Sequence, residues 1–270
     1  MCGVPGRICP TRWDIAENTM ASEQTDVMKH DASDYISALS VALGLASGGF
    51  LVTSLLQIPF VAVLSVLNIS VESTIGNVGT TLLQGIGFVL LVVGYVYYAG
   101  HPDLLDIRWP LTSNPRKSFQ DFGWMVLGFV ALIAISKVTS LALQQLGFSA
   151  GTNQIIRAVE QSPTLALSMV ILSFLAVGPG EETLFRGGVQ GVLRRVLRPV
   201  PAIIGSSTLF GLAHVTAIVA SSGASGIWGY VVSAFVLGLV LGSLYEYTNN
   251  LLIPIVVHGA YNAAIFVQYI

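Results

Sequence analysis

Gly178-Pro179-Gly180-Glu181-Glu182-Thr183-Leu184-Phe185-Arg186-Gly187-Gly188 places two carboxylates and a guanidinium inside a run that otherwise reads as membrane-spanning. Upstream, Leu165 to Val177 is apolar apart from Ser168 and Ser173; downstream, Val189 to Leu193 carries only Gln190 as a polar side chain. A charge at the bilayer centre costs at least about 2.5–3.5 kcal/mol on insertion scales, so three within one short stretch require partners and a purpose. On a helix, Glu182 and Arg186 stand at i and i+4 and neutralise each other. Glu181 then points about 100° away around the axis and is left free for chemistry.

The rest of the chain fits a membrane setting. It has 270 residues, 53% apolar and only 10% charged, where a soluble domain carries roughly 25% charged residues. Such a chain cannot solvate its own surface. The net charge of −2 points to no particular partner, and nucleic acid is not suggested. Both cysteines, Cys2 and Cys9, lie near the start, which leaves no disulfide framework. Residues 1–34 contain no apolar core of a secretory signal and read as a poorly ordered tail.

A helix needs about 20 apolar residues to span the hydrocarbon core. Seven stretches qualify, at 35–68, 77–99, 120–147, 163–194, 201–220, 226–247 and 250–269. The expected fold is therefore an all-α polytopic transmembrane bundle of about seven spans over 35–270, or eight if the first divides near Pro59. With seven spans and a cytosolic N-terminus, nine basic residues fall on the cytosolic side (Arg7, Arg12, Lys29, Arg108, Arg116, Lys117, Arg194, Arg195, Arg198) and one, Arg157, outside. That asymmetry favours seven. Residues 101–120, with Pro102, Pro110, Pro115 and Trp109, read as an interfacial segment on the cytosolic leaflet, and Lys137 as a snorkelling side chain.

Two later stretches complement Glu181. Phe210-Gly211-Leu212-Ala213-His214 and His258-Gly259-Ala260-Tyr261-Asn262 set polar groups in apolar runs, with His258 and Asn262 again one helical turn apart. Counted from the cytosolic ends of their spans at 1.5 Å per residue, Glu181, His214, His258 and Asn262 lie about 12–20 Å deep and can share one layer of the bilayer. Taken singly, His214, His258 and Asn262 read as interhelical hydrogen-bonders and Phe210 as core packing. Together, a carboxylate, two imidazoles and an amide form a water-activating set.

Glu181-Glu182-x-x-x-Arg186, Phe210-x-x-x-His214 and His258-x-x-x-Asn262, in that order on successive late helices, resemble the CPBP family of CAAX proteases and bacteriocin-processing proteins. The resemblance covers about 163–269, the expected catalytic core; the tail and first spans match nothing nameable. It implies a glutamate-type intramembrane endopeptidase. In that reading Glu181 with His214 activates the attacking water, His258 with Asn262 stabilises the oxyanion, and Glu182, Arg186 and Phe210 support them. Peptide hydrolysis needs such a base and such donors, and a carboxylate in a partly dry cavity is a better base than one in water. The expected substrate is a peptide or protein, lipidated or not, reached from the cytosolic leaflet.

No cofactor is expected. Zn²⁺ on two histidines and a carboxylate, with Glu182 as base, stays open as a rival, although HExxH is absent and Arg186 disfavours a nearby cation. Two other classes remain: a non-catalytic scaffold or immunity-type protein, and a proton-coupled transporter using Glu181 as relay. No internal repeat supports a two-half transporter.

Overall fold

The computed structural model describes residues 31–109, 115–148, 153–218 and 224–270. Residues 1–30 of the expected tail, with Cys2 and Cys9, Pro110 and the centre of the loop before Asn153 lie outside them, whereas residues 31–34 of that tail cap and begin the first helix. Every regular element described is helical: α1 Ala32–Val66, α2 Thr74–Ala99, α3 Pro115–Gln145, α4 Gln154–Val159, α5 Pro163–Arg194, α6 Pro199–Ala213, α7 Ala224–Thr248 and α8 Leu252–Phe266.

Local chemistry accounts for most boundaries. Asp31 caps α1 with a reciprocal capping box to Asp34, Ser73 caps α2, and Ser162 caps α5 just before Pro163. Gly100, at φ 69°, closes α2 in the left-handed conformation that costs glycine nothing. α1 runs unbroken through Pro59, so the first stretch is one span of 35 residues and not two. Pro59 lies on the exposed side of that helix.

Six helices are long and apolar enough to cross a membrane: α1, α2, α3, α5, α7 and α8. The seventh apolar stretch, expected at 201–220, forms the shorter α6, with 15 residues, followed by a break at His214 and one further turn, Val215–Ile218. Broad apolar faces look outward, among them Leu39, Leu51, Leu55 and Ile58 on α1 and Val126, Leu127 and Val130 on α3. A soluble protein does not leave such surfaces bare. This is an integral, multi-pass membrane protein. Lys137 is also exposed, facing away from the bundle.

The connections sort into two ends. At one, Arg194 pairs with Glu246 at 2.8 Å and Arg195 with Asp103 at 2.9 Å. There too the buried Asn250 side chain accepts from the Arg108 N–H and donates to the Arg108 carbonyl, each at 3.0 Å. The segment after α2 is thus clamped to the bundle by Asn250 and by the buried Leu104, while Trp109 is left exposed. At the other end, Asn153 reaches Tyr230, and Thr74 lies 3.4 Å from Ser162.

α5 is the central rod. All of Thr183–Gln190 is buried, and glycines let neighbouring backbones approach it. A Cβ on Gly180 would lie 2.6 Å from the Gly85 Cα of α2, and one on Gly178 would lie 2.7 Å from the Ile255 carbonyl of α8. Gly187 and Gly191 accommodate Leu104, and Gly188 faces Leu45 and Val92, which is the small-residue packing typical of membrane bundles.

Candidate active site

The backbone of α5 changes winding at the site. Ser173–Val177 and Thr183–Gln190 are π-helical, flanking one α-helical turn, Gly178–Glu182. Pro179 has no N–H to return to the preceding turn. The Gly178 N–H instead bonds the Ser173 carbonyl five residues back, so the turn widens rather than breaks. Widened turns of this kind are frequent at functional sites.

Glu182 and Arg186 are both fully buried and pair as the i, i+4 spacing predicts. Arg186 Nη1 donates to Glu182 Oε1 at 3.2 Å, and Nε stands 3.2 Å from Oε2. Arg186 Nη2 donates to the Gly238 carbonyl at 3.1 Å, and the guanidinium lies 4.7 Å over the Phe210 ring. One turn on, Gln190 donates to the Gly242 carbonyl at 3.0 Å. The charged pair therefore also locks α5 against α7.

Two imidazoles converge on Glu181. His258 Nε2 is 3.9 Å and His214 Nε2 is 4.0 Å from Glu181 Oε2. That oxygen is buried and takes no hydrogen bond among the described residues. The far nitrogen of each ring is committed. His258 Nδ1 donates to Glu182 Oε1 at 2.6 Å, and His214 Nδ1 to the Phe210 carbonyl at 2.8 Å. A carbonyl and a carboxylate paired with Arg186 can only accept, so Nδ1 carries hydrogen in both rings. When the rings are neutral, both Nε2 lone pairs face Glu181. Phe210 sits at the centre, its ring edge-on to Phe185 (5.1 Å), His214 (4.7 Å) and His258 (5.9 Å).

Asn262 is half-buried one turn beyond His258 on α8, and no hydrogen bond among the described residues ties it to Glu181, His214 or His258. Its neighbour Tyr261 is instead bonded to Ser136 of α3 at 2.8 Å. Sequence reasoning paired His258 with Asn262 and missed its bond to Glu182, 76 residues away. It also missed the Phe210 carbonyl, whose signal was the i, i+4 spacing to His214. Among the described residues, no group of three or more His, Cys, Asp or Glu side chains is arranged to hold a metal ion.

The family model described as type II CAAX prenyl endopeptidase, Rce1-like, matches residues 163–264. No curated protein and no solved structure matches. The matched stretch begins with α5 and ends within α8, so it contains Glu181, Glu182, Arg186, Phe210, His214, His258 and Asn262. With these motifs in order, and both histidines within 4.0 Å of Glu181, the segment 163–264 of this membrane protein is similar to the type II CAAX prenyl endopeptidases.

Proposed function

We propose that the chain is an intramembrane endopeptidase that hydrolyses a peptide bond with a water activated by Glu181 and His214. The observation that carries this reading is the buried, unsatisfied Glu181 Oε2 facing both Nε2 atoms at 3.9 and 4.0 Å. Those spacings exceed a direct hydrogen bond and suit one intervening water about 2.8 Å from each group.

Glu181 takes a proton from that water as its oxygen attacks the scissile carbonyl, and the same proton passes to the departing amine. Two carboxylates and one guanidinium give the site a formal −1 (−2 + 1), which one proton on His258 Nε2 cancels. That N–H, with the amide of Asn262, stabilises the oxyanion. Glu182 holds the His258 ring, and the Phe210 carbonyl holds that of His214, in the orientation this requires.

The substrate in this reading is a peptide presented at the cytosolic leaflet, with a prenylated CAAX terminus as the first to test, and the N-terminus is cytosolic. The gathering of Arg108, Arg194 and Arg195 at one end of the bundle supports that orientation. The zinc rival draws on one observation: both Nδ1–H groups are held as metal-bound histidines hold theirs. Arg186, buried beside the site and paired with Glu182, disfavours a second cation there.

The experiment is cleavage of a farnesylated CAAX peptide by the purified chain, with and without a zinc chelator. Loss of cleavage in Glu181→Gln, with the fold retained and no effect of chelator, is expected. Full activity in Glu181→Gln refutes the base; activity lost to chelator and restored by Zn²⁺ selects the metal reading. A folded wild-type protein that turns over no peptide, prenylated or not, favours the scaffold.

A further inference from the structure

His214 is set at a weak point of the backbone. α6 ends at Ala213, so the imidazole hangs from the residue at which the helix breaks, and its side chain keeps 20% of its surface exposed. One hydrogen bond to the Phe210 carbonyl fixes Nδ1 but leaves the ring free to rock about it. Phe210 borders the ring at 4.7 Å, and a second ring, Tyr230 of α7, stands 5.7 Å away at 44°. Nothing in the chemistry above uses Tyr230.

Tyr230 is itself held. Its hydroxyl accepts a hydrogen bond from Asn153 Nδ2 at 3.3 Å. Asn153 is fixed as the N-cap of α4, where its Oδ1 accepts from the Ile155 N–H at 3.2 Å. α4 is anchored in turn by Val159, fully buried in a cluster with Leu165, Ala166 and Met169 of α5. A continuous line of contacts therefore runs from α4 through Asn153 and Tyr230 to the imidazole facing Glu181.

We infer that Tyr230 is a positioning residue for His214, its ring limiting the swing of the imidazole and Asn153 holding that ring in place. The inference rests on His214 and Glu181 acting on one water. Misplacing a reacting group by about 1 Å costs on the order of a hundredfold in rate, and a rocking His214 incurs part of that cost in kcat without altering substrate binding.

The test uses the full chain and a farnesylated CAAX peptide, with Tyr230→Leu, Tyr230→Phe, Asn153→Ala and the Phe/Ala double variant. Tyr230→Leu is expected to lower kcat at least about tenfold with KM within about twofold. Tyr230→Phe and Asn153→Ala each lower kcat by a smaller factor, and the double variant is no worse than Asn153→Ala alone, because Tyr230→Phe removes only a bond already lost in Asn153→Ala, which also loses the α4 N-cap. A second readout needs no turnover: the rate at which diethyl pyrocarbonate modifies His214, followed by peptide mass. It rises several-fold in Tyr230→Leu under the inference. An unchanged kcat, an unchanged His214 modification rate, or a loss that only tracks the folded fraction overturns it. Glu181→Gln inactive with Tyr230→Leu normal sinks this inference alone; Glu181→Gln active sinks the proposed function first.

Discussion

Replacing Glu182 by Gln keeps the shape of the side chain and removes its charge, which tests whether the buried Glu182–Arg186–His258 unit works as one. Glu182 Oε1 accepts from Arg186 Nη1 at 3.2 Å and from His258 Nδ1 at 2.6 Å, Oε2 stands 3.2 Å from Arg186 Nε as an ion pair, and both Glu182 and Arg186 are fully buried. Leaving a buried guanidinium without its counter-charge costs about 3–5 kcal/mol. Losing the charge-assisted bond to His258 costs a further 1.5–3 kcal/mol or so, which as a barrier corresponds to a rate loss of about 10–150-fold. Thermal unfolding in detergent and cleavage of a farnesylated peptide measure the two effects. The double variant Glu182→Gln/Arg186→Met separates them: stability recovers in large part because no charge is stranded, whereas cleavage stays low because His258 Nδ1 still lacks its carboxylate. A single Glu182→Gln variant with wild-type melting and rate refutes the argument.

Other outcomes follow from the same geometry. Glu181→Gln leaves the melting temperature nearly unchanged, since Oε2 has no hydrogen bond to another described residue to lose, but cuts kcat by about 10²–10⁴-fold in the peptide assay. Gly180→Val drives a side chain into the α2 backbone, where even a Cβ would sit 2.6 Å from Gly85 Cα, and lowers folded yield by size-exclusion chromatography. Asn250→Ala strands the Arg108 amide and carbonyl it now bonds and destabilises by about 1–3 kcal/mol in thermal unfolding. Glu246→Ala, which breaks a partly exposed pair with Arg194, costs no more than about 1 kcal/mol in the same measurement.

Six of the seven expected apolar spans and the two buried charges were legible in the amino-acid order, because hydropathy and i, i+4 spacing are local quantities. Glu182 and Arg186 pair within one turn, so their union needed no tertiary information. The family motifs likewise singled out Glu181, His214 and His258, and the fold brings both histidines within 4.0 Å of Glu181 Oε2.

Only the tertiary structure decided which nitrogen faces which oxygen. The bond from His258 to Glu182 joins residues 76 positions apart, and no periodicity carries that. Nor could spacing show that the Phe210 carbonyl holds His214, that α6 ends one residue before that histidine, or that Tyr230 leans on it from another helix. Hydrophobicity determines that a segment enters the bilayer; the rotation and depth of each rod, and hence what its polar groups meet, are set by packing against neighbours. Here the glycine contacts of α5 with α2 and α8, and the Arg186 and Gln190 bonds to α7, fix that rotation.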